Sequence, residues 1–159
     1  MAKLMLLVAL FVLPAIVTAI RPAANPMIVR GRVFCDPCRA GFETPATTYI
    51  RGAKVKLECK DKDTMELLYN TEGKTDATGT YTIMVKEDHK DQICDAVLVS
   101  SPQTDCASAA PGRERARVIL TRYNGIASDQ RFANSMGFMK EQVLSGCSQL
   151  LKQYQEYDD

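Results

Sequence analysis

The sequence predicts an all-β fold: a seven-stranded antiparallel β-sandwich or partly open barrel, stapled by three disulfides and closed by a short C-terminal helix. Three observations carry that expectation. Short runs of alternating apolar and polar residues recur with turn signals about every ten residues, without the long helical periods of a βαβ chain. Six cysteines stand in a chain of 159 residues, the density of a domain that reinforces its core covalently. With 46% hydrophobic and 25% charged residues, the chain has material for one core rather than two.

Residues 1–19 differ from the rest. Lys3 gives a positive start, Leu4 to Leu13 is unbroken apolar sequence, and Val17-Thr18-Ala19 puts acceptable residues three and one before a cut. This is the anatomy of a secretory signal peptide cleaved between Ala19 and Ile20, with Ala23 or Ala24 as the alternative cut. A transmembrane anchor needs about 20 apolar residues, and Pro14 and Thr18 interrupt this run sooner. The remainder, residues 20–159, is expected to form one β domain, secreted to the extracellular space and free of the membrane after cleavage.

The first strand is read over Met27 to Cys35, with Gly31 as a bulge or close-approach site. Ala40 to Gly52 is a long connection. From Ala53 to Lys60 the alternation is clean: Val55, Leu57 and Cys59 on one face, Lys54, Lys56, Glu58 and Lys60 on the other. Asp61-Lys62-Asp63 begins like a calcium loop, and Glu72 stands at the closing position, but Glu66 occupies the position that needs glycine, so it is read as a turn. A weaker strand spans Glu66 to Thr71. Thr75 to Gly79 closes a hairpin, and beyond it Tyr81, Ile83 and Val85 share a face. His89 sits in a charged, solvated turn. Strands follow at Cys94 to Ser101, Arg115 to Arg122 and Phe132 to Lys140. From Glu141 onward, Val143, Leu144, Cys147, Leu150, Leu151 and Tyr154 recur at three and four, one apolar stripe on a helix.

The chemistry available is limited. Cleavage removes Lys3, leaving a formally neutral mature chain, which argues against nucleic acid or an anionic membrane as partner. Arg113, Arg115 and Arg117 are read as a solvated loop. Cys35 and Cys38, three apart in extended chain, point to opposite faces and so reach different partners. A redox CxxC needs a helix start in a βαβ unit, and zinc needs a second close pair or histidines. Neither pattern is present. The single histidine has no evident orienting partner, and no GxSxG elbow occurs. The sequence therefore nominates no catalytic residue, no metal ligand and no cofactor.

GRVFCDPCR, spanning Gly31 to Arg39, together with the order of the six cysteines and the leader, resembles the pollen allergen Ole e I family. Gly31, Val33, Cys35, Asp36, Pro37, Cys38 and Arg39 match its motif, while Phe34 replaces the usual tyrosine and Arg30 stands where Glu, Gln or Thr is usual. The similarity runs through GAKVKLEC, TDATGTYTI, RARVILT and Cys147. A weaker likeness is to transthyretin-like and carboxypeptidase-regulatory-like modules, through Gly52 to Leu57 and Thr75 to Tyr81. The resemblance implies the pairing Cys35 with Cys106, Cys38 with Cys147 and Cys59 with Cys94. It also implies a non-enzymatic pollen allergen binding an extracellular receptor ectodomain or cell-wall polymer during hydration, germination or tube growth. A wall-acting hydrolase or carbohydrate-binding module is the alternative. Relatives often carry an N-glycan late in the chain, but Asn124-Gly125-Ile126 lacks the hydroxyl residue, as do the sites at Asn70 and Asn134, so no N-glycosylation is expected. The long loops Asp36 to Thr48 and Pro102 to Arg117 are the expected binding surface, with Arg39, Phe42, Arg113 and Arg115 as its candidate residues. N-terminal sequencing of the secreted protein is expected to begin at Ile20; a retained Met1 would refute the leader.

Overall fold

The computed structural model describes residues 25–155, so the expected leader and its cut between Ala19 and Ile20 lie outside the described residues. Ten strands and one helix follow in order. They are β1 (Met27–Asp36), β2 (Thr48–Tyr49), β3 (Lys54–Asp61), β4 (Leu67–Lys74), β5 (Thr80–Val85), β6 (Gln92–Ser100), β7 (Ser108–Ala109), β8 (Arg115–Val118), β9 (Gln130–Phe132), β10 (Met136–Met139) and α1 (Cys147–Gln155). The all-β fold with a short terminal helix is as expected. The strand count is higher than seven, because the long connections hold the two-residue strands β2 and β7, too short to leave an alternation in the sequence.

β1 is the spine of one sheet. Its first half pairs antiparallel with β5 and parallel with β9; its second half pairs antiparallel with β2 and parallel with β10. These two parallel pairings correct the expectation of a purely antiparallel fold. The run read as one last strand divides into β9 and β10 for a related reason. Arg30 pairs with Phe132 and Val33 with Met136, three steps on β1 against four on the other chain. The extra residue breaks the ladder there.

The second sheet has the order β4-β3-β6-β8, all antiparallel. Val55, Leu57 and Cys59 of β3 are buried, as are Tyr81, Ile83 and Val85 of β5. With Met27, Val29 and Val33 of β1, Ala96 of β6 and Val118 of β8 they form one core between the sheets. Each fully buried aliphatic side chain there contributes about 1.5–3 kcal/mol. On the outer face of β3, Lys56 and Glu58 pair at 2.6 Å.

Three disulfides join Cys35 to Cys106, Cys38 to Cys147 and Cys59 to Cys94. The last links directly opposed residues of β3 and β6. Its 35-residue separation corresponds to roughly 3–4 kcal/mol in the chain-entropy account.

Three local expectations need correction. The helix begins at Cys147, not Glu141, because upstream amides bond across to other loops: Glu141 N donates to the Asp105 carbonyl and Leu144 N to that of Pro37. Val143 and Leu144 are consequently exposed, and Cys147 is the buried residue of α1. His89 is buried, 5% exposed, because its amide donates to the Leu120 carbonyl at 2.8 Å and its ring lies 4.6 Å from that of Tyr69. Arg115 and Arg117 lie on β8, where both reach Asp95 across the strand pair, so the stretch is not a solvated loop.

Gly31 is a close-approach site. A Cβ there would lie 2.3 Å from the Tyr81 hydroxyl and 2.6 Å from the ring carbon that bears it, because the Tyr81 ring fills the space opposite it in the core. The Tyr81 hydroxyl is buried without a partner, and that burial pushes its pKa up. Gly31→Ala is expected to cost roughly 1–3 kcal/mol in urea unfolding, the usual range for overpacking. Tyr81→Phe, which removes a desolvated and unpaired hydroxyl, should stay within about 1 kcal/mol of wild type or gain stability. The opposite order would contradict this account.

Candidate functional site

The loop that follows β1 is organised by Asp36. Its carboxylate is 0% exposed, with Oδ1 accepting the Cys38 amide at 3.1 Å and Oδ2 the Gly41 amide at 2.7 Å. A buried carboxylate needs such donors. Between them the chain turns through Arg39 at φ 52° and Gly41 at φ 80°, the second a conformation that glycine adopts without strain.

The Gly41 carbonyl then accepts the Nε–H of Arg113 at 2.8 Å. This bond, with the Cys35–Cys106 bridge, brings the two long loops side by side. Arg113 is held from its backbone too, donating to the Ala110 carbonyl while its own carbonyl accepts from Gly137.

Between the loops is a hollow of about 490 Å³ lined by Phe34, Phe42, Glu43, Arg113, Asn134 and Ser135. Phe42 packs edge-on against Tyr154 of α1, with ring centroids 5.0 Å apart, so the helix that Cys147 anchors also braces the hollow. Glu43 accepts the Tyr49 hydroxyl at 2.8 Å, which raises the pKa of that hydroxyl.

Of the four residues expected to bind, Phe42 and Arg113 line the hollow together. Arg39 is exposed outside its lining, and Arg115 belongs to the other sheet, 3.3 Å from Asp95. Glu43, Asn134 and Ser135 were not legible as site residues. Asn134 and Ser135 come from the segment between β9 and β10, whose return beside β1 depends on a parallel pairing that no local pattern announces.

His89 is the other position with chemistry to weigh. A ring nitrogen of His89 and the sulfurs of Cys59 and Cys94 lie within 4.8 Å of one another. The sulfurs are bonded to each other, so neither is the thiolate that a metal site of this kind takes. Nδ1 of His89 faces Gln92 Oε1 at 3.0 Å, an amide rather than the carboxylate that would polarise an imidazole.

The arrangement is that of a disulfide-stapled β domain presenting a preformed, partly aromatic hollow on cross-braced loops. Residues 25–155 match the family described as "Pollen protein Ole e 1 like", and the chain belongs to that family. It is 49% identical over 138 residues to the pollen-specific protein C13 of Zea mays, covering 87% of this chain and 81% of that one. It is 48% identical over 130 residues to the protein DOWNSTREAM OF FLC of Arabidopsis thaliana, covering 82% and 79%. Among solved structures, the crystal structure of the major plantain pollen allergen Pla l 1 superposes with a TM-score of 0.68 at 29% identity, over 77% of this chain and 99% of that one.

Asp36→Ala removes the acceptor of two loop amides and should cost roughly 1–3 kcal/mol. Hydrogen exchange at Gly41 is expected to accelerate with it. Unchanged exchange there would show that the loop is held by other contacts.

Proposed function

We propose that the protein is a secreted, non-enzymatic binding protein that uses the Phe42–Arg113 hollow to engage an extracellular receptor ectodomain or cell-wall component in pollen hydration, germination or tube growth. The observation that carries this reading is the bond from Arg113 Nε to the Gly41 carbonyl. With the Cys35–Cys106 bridge it fixes the two loops side by side over a rigid scaffold, and preorganised loops are where recognition is least costly. Relatives named for pollen support the setting. The leader in residues 1–19 supports export.

The hollow is a poor reaction site. Glu43 is the one carboxylate in its lining and is occupied by the Tyr49 hydroxyl, whereas glycoside hydrolysis takes two carboxyl groups about 5–9.5 Å apart. This favours binding over wall hydrolysis.

The test is affinity capture by the disulfide-intact protein from the extracellular fraction of its own secretory tissue. Phe42→Ala and, separately, Arg113→Ala should each weaken capture by about tenfold or more, the loss typical of a residue central to an interface. Unchanged capture by both variants, with the fold retained, would move the surface elsewhere.

A further inference from the structure

The face of the sheet beside the hollow carries a charge pattern that the family motif does not explain. Arg30 and Arg32 stand two residues apart on β1, both exposed, which places their side chains on the same face about 7 Å apart. Neither makes an ion pair among the described residues. The Arg32 guanidinium lies 3.4 Å from the centroid of the Tyr49 ring. That stacking orients its planar fork and leaves its edge N–H groups free for a carboxylate.

The nearby carboxylates are already engaged. Asp76, which feels the charge of Arg30, accepts from the Thr78 hydroxyl and the amides of Thr78 and Thr80 in its own turn. Glu43 holds the Tyr49 hydroxyl. Among the described residues neither arginine is therefore held in an ion pair.

Phe132 pairs in register with Arg30 and is 73% exposed. With Arg30, Arg32, Thr80 and Ser135 it lines a depression of about 350 Å³, and Ser135 also lines the Phe42–Arg113 hollow. On its other side Phe132 borders a second depression of about 400 Å³ with Ile119, Ile126 and Arg117. The surface is thus a strip that is basic along β1 at Arg32 and Arg30 and apolar at Ile28 and, to the side of Arg30, at Phe132 and the depression beyond it.

We infer that this strip binds an extended acidic peptide segment of an extracellular protein, with carboxylates on alternate residues over Arg32 and Arg30 and an apolar residue at the next alternate position, over Ile28 and diagonal to Phe132. The inference rests on the binding function proposed above and names the chemistry of the partner. In an extended peptide, alternate side chains point the same way and stand about 7 Å apart, which is the spacing of the two arginines. Arginine, with Trp and Tyr, is enriched at the energetic centres of interfaces, and Phe132 adds exposed aromatic surface beside Arg30. The apolar continuation at Phe132, Ile119 and Ile126 favours a peptide over a uniformly anionic polymer.

The experiment uses the disulfide-intact protein and a short labelled peptide with glutamates at two alternate positions and leucine at the next alternate one. Fluorescence anisotropy compares it with a peptide of the same composition whose glutamates are adjacent, and with polygalacturonate as competitor. The alternating peptide should bind about tenfold tighter or better than the adjacent one, and added salt should weaken it. Arg30→Ala with Arg32→Ala should lose that tenfold and Phe132→Ala a similar amount, while Lys54→Ala on the other sheet should bind as wild type. Equal binding of the two peptides, indifference to the arginine pair, or stronger binding of polygalacturonate would overturn the inference. The two claims fail separately. If the double arginine variant captures the tissue partner as wild type does, the strip is refuted while the proposed function stands. Peptide binding with no extracellular partner captured supports the strip and removes the proposed function.

Discussion

β1 is hydrogen-bonded along both edges for nearly its whole length, and the rest of the structure depends on that double occupancy. Four strands take their register from it, two antiparallel and two parallel. The inner face of β1 must also leave room for the core. Gly31 supplies the room by yielding its side-chain volume to Tyr81. Asp36 ends the strand, and its buried carboxylate accepts the amides of Cys38 and Gly41 as the chain turns back on itself. The two cysteines that flank this carboxylate then carry the strand's position outward, one to the loop at Cys106 and one to the helix at Cys147. The position of the hollow follows from these contacts: Phe34 is its floor, Phe42 and Arg113 its walls, and each is tied to the end of β1.

Much of the sheet structure was legible because it is written at period two. Val55-Leu57-Cys59 and Tyr81-Ile83-Val85 declare both the strands and the faces they bury, and a single register error would have turned each set to solvent. What the sequence concealed depends on contacts between distant residues. β9 and β10 are short, and their parallel pairing with β1 is a relation between segments about 100 residues apart, with no turn between them to set it. The exposed positions of Val143 and Leu144 follow from two amides bonding to other loops. The apolar stripe is real as a pattern, but the backbone there had a stronger alternative than helix. His89 misled for the same reason: flanked by charges it reads as solvated, yet a backbone bond to Leu120 draws it beneath Tyr69.

Of the four residues named from the sequence, Phe42 and Arg113 line the hollow, two of its six lining residues. Phe42 and Arg113 are long side chains in glycine- and proline-bearing segments, and a bridge at Cys35 and Cys106 makes their meeting sterically natural. Arg115 was misplaced because its neighbours looked like a charge run. In the fold, Arg115 and Arg117 alternate with buried Ala116 and Val118 and converge on Asp95, so the apparent run is the outer face of an edge strand. The i, i+2 arginines of β1 were visible in the same way, since Val29 and Val33 already assign the inner face, but their meaning depends on Phe132 arriving from the far end of the chain.

The parallel partners of β1 also bear on synthesis. As the chain leaves the ribosome, β1 emerges early and meets β2 and β5 soon after, but the strands that cover its other edge come only after residue 130, and the bridge from Cys38 waits for Cys147. Until then one side of the central strand is an open row of amides and carbonyls, a template for any other extended chain nearby. Folding of this sheet is thus a late event, completed when the last thirty or so residues arrive, with the slow kinetics that non-local pairing brings. A protein truncated before residue 130 would lose more than the helix at Cys147–Gln155: it would release its most central strand with one edge bare.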